Sequence, residues 1–284
     1  MRPNADASRS NRRDFLASGL ALAGTLALGR NALARTFHEG EYGPLKVGIQ
    51  SYSLRHFKFE EALARTRELG LHYWESYNAH IPTADDSAKI GEARKLAEAA
   101  QVKVIGYGVV HFGKDIDANR KTFEFAKALG VDYISADPDP DSFDNLDTLV
   151  EEYKIGVGIH PHGPGHRYNT LDIVEKAIKG HSDWIGLCND TGHLLRSNQD
   201  PVEAIHRFAK RTYGVHLKDV KDAKTFTILG EGDLKLAEYV QALAKVKYPY
   251  CVALEYEENP EHPMADIKAC LDNLRKATAT IKGA

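Results

Sequence analysis

Four short stretches in the second half of the chain hold residues able to do chemistry. They are Ile159-His160-Pro161-His162-Gly163-Pro164, Asn189-Asp190-Thr191-Gly192-His193, Val215-His216-Leu217-Lys218-Asp219 and Ala253-Leu254-Glu255-Tyr256-Glu257. Each lies at the end of an apolar run, where a strand would give way to a loop. Singly, each has an ordinary explanation. A histidine at a strand end commonly hydrogen-bonds its own loop, Asp190 before Thr191-Gly192 suits a turn or a helix cap, and Glu257 suits a solvated surface. Jointly, His160, Asp190, His216 and Glu255 offer two imidazoles and two carboxylates, the donors a divalent metal ion takes. The pattern becomes a site only if the fold brings the four stretches to one place.

The rest of the chain predicts such a fold. From residue 46 onward, eight short segments rich in Val, Ile and Tyr alternate with amphipathic stretches: 46–52, 71–76, 102–109, 131–136, 155–160, 184–189, 213–217 and 250–255. Apolar residues recur at helical spacing in 60–69, 85–100, 121–129, 146–153, 171–178, 201–210, 234–246 and 265–281, and several of these stretches end in Leu-Gly, a helix stop. Strand starts lie 24 to 37 residues apart, room for one helix and two loops and no inserted domain. Eight regular βα units predict an α/β fold with a single closed (β/α)8 barrel, because closure leaves no exposed strand edge. In such a barrel the active site lies at the carboxyl ends of the strands. Glu75, Tyr107, His111 and Asp137 fall at the ends of strands two to four and are candidate substrate contacts.

Residues 1–34 read as an export signal: a basic start, Arg12-Arg13-Asp14-Phe15-Leu16, an apolar run from Ala17 to Leu28, then Ala32-Leu33-Ala34. The adjacent arginines suggest the twin-arginine route, with the export machinery as a transient partner and a periplasmic or exported destination. The expected domains are therefore the signal, 1–34, and the barrel, 35–284. The whole chain has 37 basic and 40 acidic residues, and 35–284 has 32 and 38. With no long basic run, nucleic acid is not an expected partner. Cys188, Cys251 and Cys270 are too far apart in sequence for a zinc ribbon or a disulfide framework. Whether the chain forms a homo-oligomer is left open.

Once the motifs are set side by side, the chain resembles the sugar phosphate isomerase/epimerase family, whose members have the xylose isomerase-like TIM barrel. The resemblance rests on Ile185-Gly186-Leu187-Cys188-Asn189-Asp190-Thr191-Gly192-His193, Val215-His216-Leu217-Lys218-Asp219, Gly230-Glu231-Gly232-Asp233 and Ala253-Leu254-Glu255. It implies a metal held by a Glu, an Asp, a His and a Glu from strands five to eight. Asp190, His216 and Glu255 match the last three positions, and His193 matches a substrate contact. Strand five departs from the pattern, since His160-Pro161-His162 stands where the family often has Glu-Asn-His, and either histidine can serve as the ligand. Two imidazoles in the set favour Mn, Zn, Co, Ni or Fe over Mg.

The chemistry implied is removal of a proton next to a carbonyl through a metal-stabilised enediolate, with Glu255 as base and His162, His193 and Lys218 as partners in proton transfer. Returning the proton makes an isomerase or epimerase, the leading expectation, and the export signal points to a small unphosphorylated sugar as substrate. Expelling a β-oxygen makes a keto-sugar or keto-glycoside lyase or dehydratase. A non-catalytic sugar-binding barrel is the alternative of another class. Gly230-Glu231-Gly232 reads as a tight turn more readily than as a phosphate loop.

Overall fold

A computed structural model describes residues 40–84 and 86–281; the export-signal reading of 1–34 lies outside them. Eight parallel strands close into a barrel: β1 (Lys46–Gln50), β2 (Tyr73–Ser76), β3 (Lys103–Phe112), β4 (Tyr133–Pro138), β5 (Gly156–Ile159), β6 (Ile185–Asp190), β7 (Thr212–Leu217) and β10 (Cys251–Leu254). β8 (Asp219–Lys221) and β9 (Thr225–Thr227) form a small antiparallel hairpin after β7. β1 closes the ring on β10 in the register Lys46↔Cys251 to Ile49↔Leu254.

Helices α1 (Phe59–Glu68), α2 (Ser87–Ala99), α3 (Ile116–Leu129), α4 (Phe143–Tyr153), α5 (Leu171–Ile178), α6 (Thr191–Arg196), α7 (Pro201–Arg207), α8 (Leu236–Lys245) and α9 (Met264–Thr278) connect the strands. Carboxylates start several of them. Asp86, Asp115 and Asp200 accept backbone N–H bonds from the first turns of α2, α3 and α7. The cap at Asp115 explains why α3 starts at Ile116 rather than at the expected Lys121, ahead of its apolar stripe. Gly130, at φ 81°, ends α3 in the left-handed conformation that glycine adopts without strain.

One face of each strand packs outward against the helices and forms the main core, to which Trp74 contributes with no exposed surface. The alternation of side chains sends the other face into the barrel. Low in the interior, Tyr73, Ile105, Cys251 and Ala253 form a separate apolar cluster. Two residues further along the same strands, the inward positions become Glu75 and Glu255. Polar side chains thus replace apolar ones towards the carboxyl end, and Ser135, His160, Asp190, His216 and Lys218 are buried there as well. No described helix is long and apolar enough to cross a membrane.

Candidate metal centre

His160, Asp190, His216 and Glu255 are all buried and meet at the carboxyl ends of four adjacent strands. His160 Nε2 lies 2.9 Å from His216 Nδ1 and 3.2 Å from Asp190 Oδ2. His216 Nδ1 lies 3.7 Å from Asp190 Oδ2 and 3.1 Å from Glu255 Oε2. Donor atoms around a tetrahedral ion with bonds of roughly 2.0–2.2 Å are about 3.3–3.6 Å apart, so the spacing fits a first-row divalent metal. The bonding state of the atoms fits too. Asp190 Oδ2 and Glu255 Oε2 are buried without a well-aligned hydrogen bond from the protein.

Asp190 does both jobs that its sequence context suggested. Its Oδ1 accepts the backbone N–H of His193 at 2.7 Å, capping α6, and Oδ2 faces the cluster. Of the two histidines in the fifth stretch, His160 joins the cluster. The His162 ring stands 4.4 Å away, centroid to centroid, on the exposed rim.

Lys218 is buried, with Nζ 3.1 Å from Asp190 Oδ2 and 2.8 Å from Glu255 Oε2 and with Glu257 as a third partner. Burial works against its charge, but the three carboxylates outweigh it and hold the ammonium well above its usual range. It is therefore a fixed cation rather than a base. Burial likewise opposes ionisation of Asp190 and Glu255, yet Lys218 heads the groups that hold both carboxyls well below the usual range. Gly192 makes this arrangement possible: a Cβ there would stand 2.4 Å from Lys218 Cγ and 3.1 Å from Phe226.

Around the cluster, burial pushes the His193 imidazole down to about 4. Desolvation and then the neighbouring His160, His166 and His193 push His162 down to about 3. Both rings are neutral at pH 7. Arg196 Nη1 lies 3.1 Å from His193 Nδ1, and since guanidinium only donates, the ring proton of His193 is on Nε2. Phe226 of the hairpin packs edge-on to His193 and lies under Arg196 and Lys218. Cys188 also borders His160 and His216, but burial raises its thiol to about 11, which leaves it protonated.

Two expected substrate contacts are not at the mouth. Glu75 is fully buried beneath the cluster, where His216 Nε2 meets its Oε1 at 2.8 Å. Tyr107 packs on Phe125 of α3 and donates its hydroxyl to the Ile81 carbonyl at 2.8 Å, because it points to the helical layer. His111 and Asp137 stand on the rim: His111 is bonded to the Asp137 carbonyl, and Asp137 lies 3.4 Å from His166. Glu257, expected as solvated surface, instead pairs with the buried Lys218; it lies two residues after Glu255 and so shares its face. Sequence reading passed over Asp219 and Phe226, and for Phe226 nothing in the sequence pointed to the site.

Asp219 decides the Gly-Glu-Gly loop. Its carboxylate accepts the backbone N–H groups of Val220, Gly230, Gly232 and Leu234 at 2.9, 2.9, 3.1 and 2.9 Å. The amides that a phosphate would need are taken by the protein's own aspartate.

The sequence profile described as xylose isomerase-like TIM barrel matches residues 63–277. The chain belongs to that family. Among curated relatives of this barrel family, the rhizopine catabolism protein MocC of Rhizobium meliloti is 30% identical over 155 residues, 48% of this chain and 47% of MocC. Inosose dehydratase of Mesomycoplasma hyopneumoniae is 24% identical over 265 residues, 76% of this chain and 88% of that one. The chain spans about half the length of most of the curated relatives it matches. A solved barrel from Parabacteroides distasonis is 27% identical, with TM-score 0.65, over 82% of this chain and 99% of that structure.

Proposed function

We propose that the protein is a metal-dependent lyase that removes a proton next to a carbonyl of a sugar-like substrate and expels the β-oxygen. The observation that carries this reading is the asymmetry of the cluster. One carboxylate, Glu255, stands across from an imidazole, His160, instead of from a second carboxylate. A single carboxylate base suits elimination, whereas proton return to a second carbon or the opposite face is served by two matched acid–base groups. The inosose dehydratase relatives support the same choice.

When bound by His160, Asp190, His216 and Glu255, a divalent ion supplies Lewis-acid polarisation of the substrate's oxygens and acidifies the neighbouring C–H. Glu255, kept ionised by Lys218, accepts that proton. The C–H electron pair forms the new double bond as the β C–O bond breaks. His193 presents its Nε2–H as a hydrogen-bond donor for the departing oxygen. That oxygen takes up a proton from solvent and leaves as water or an alcohol, and Glu255 returns its own proton to solvent, so the proton count balances. Lys218 and Glu257 keep the charge at the mouth fixed while this happens. The Asp219-filled loop supports an unphosphorylated substrate, and the basic and apolar pattern of residues 1–34 supports an exported protein.

The test is the metal-loaded protein in deuterated water with a panel of 3-keto-glycosides and keto-inositols, followed by NMR. The expected result is release of an alcohol or water, reduced at least about 100-fold in Glu255→Gln. Deuterium incorporation into an intact sugar skeleton favours the isomerase/epimerase reading instead, since both begin with the same proton abstraction. Sugar binding that survives Glu255→Gln, with neither exchange nor elimination in the unaltered protein, marks a non-catalytic barrel.

A further inference from the structure

We propose that Glu75 is a positioning residue for the metal centre, fixing through His216 which imidazole nitrogen faces the ion and offsetting the positive charge that Lys218 places beside two of the ligands. The proposal rests on the metal-site reading given above. Glu75 is a fully buried carboxylate beneath the cluster, and nothing in the proposed reaction reaches it. Its neighbours nevertheless converge on it, two from β4 and one from β1. Tyr133 donates to Oε2 at 2.7 Å, Ser135 to Oε1 at 2.6 Å and Gln50 to Oε1 at 3.3 Å.

An ionised carboxylate only accepts hydrogen bonds, so the contact of 2.8 Å with His216 requires the proton of that ring to be on Nε2. With Nε2 protonated, Nδ1, the atom 2.9 Å from His160 and 3.1 Å from Glu255, is the nitrogen whose proton a metal ion would replace. A ring with the opposite tautomer would aim an N–H at the place where an ion must sit. The carboxylate also raises the donor strength of the imidazole, as carboxylates behind metal-bound histidines do. Charge points the same way. The Lys218 ammonium, within 3.1 Å of Asp190 and 2.8 Å of Glu255, weakens the pull of both ligands on a cation, and a buried anion behind His216 compensates. Burying a carboxylate is costly, and a barrel floor that needed only packing would be served by an apolar side chain.

The experiment measures Zn2+ and Co2+ affinity of the full chain by competition with a chelator, alongside the visible spectrum of the Co2+ form. Glu75→Gln, nearly the same shape without the charge, is expected to weaken binding about 10–100-fold and to shift the Co2+ bands at saturation. Glu75→Asp, which keeps the charge but draws it back from His216, is expected to weaken it as well and guards against one variant failing to fold. Melting of the chelated proteins tracks any purely structural role. Unchanged affinity and spectrum with lowered melting of the chelated form overturns the proposal. An unaltered protein that binds neither metal overturns both this proposal and the metal-site reading. Weakened binding in the variants together with no elimination activity in the unaltered protein upholds the role of Glu75 and removes only the proposed reaction.

Discussion

Lys218 sets the charge balance of the barrel mouth, since its one ammonium faces Asp190, Glu255 and Glu257. Removing one partner of a buried ionic group leaves the others uncompensated, typically at a cost of about 3–5 kcal/mol. Lys218→Met is therefore expected to destabilise the chelated protein by about that much, read by urea denaturation, while metal affinity rises because a cation has been taken away from two ligand oxygens. Unchanged stability and unchanged affinity would contradict the assigned charge balance. His160 and Asp190 show how far residue types can be read without a fold. Their chemistry was legible, but the choice of His160 over His162 was not. The two lie on the same face by alternation, and only the height reached along the barrel separates them.

Among the elements, the segments that follow β6 and β7 differ most from expectation. Hairpin β8–β9 and helix α6 were not foreseen, because three-residue strands and a six-residue helix are too short to show a period. Both matter to the site, α6 by placing His193 and the hairpin by placing Phe226. The hairpin and the loop at 230–234 are tied together by the Asp219 carboxylate. Asp219→Asn removes that charge and part of its acceptor capacity, and we expect a loss of about 2 kcal/mol. Hydrogen exchange at the amides of Gly230, Gly232 and Leu234 should rise before that of the barrel strands. Protection unchanged at those three amides would show that the loop holds itself.

Over the whole molecule, acid should act partly through a histidine outside the candidate metal centre. His80 packs against Phe59, Trp74 and Tyr77 and donates Nε2–H to the Phe57 carbonyl at 3.1 Å. Burial holds its imidazole below the usual range, so the unfolded chain takes up this proton before the folded one does. Its contribution is thus present above about pH 6.5 and lost as the pH falls through the folded value. In chelated protein, His80→Gln is expected to be the less stable form at pH 7.5, with the gap in urea midpoints narrowing by pH 5. A gap that stays constant or widens on acidification would rule this out.

The barrel and most of its strand bounds were determined by the sequence, because burial on both faces of a central strand and on one stripe of a helix imposes periods that short-range composition displays. That His160, Asp190, His216 and Glu255 would come together was legible for a related reason: each ends a strand, and all barrel strands end at one face. The tertiary structure decided what depends on distance and depth. It put Glu75 beneath His216 and Tyr107 in the helical layer, and it turned Lys218 into a fixed cation. It also closed the Gly-Glu-Gly loop on Asp219. Each of these outcomes arises from contacts between groups far apart in the chain, and no local pattern encodes which groups will meet.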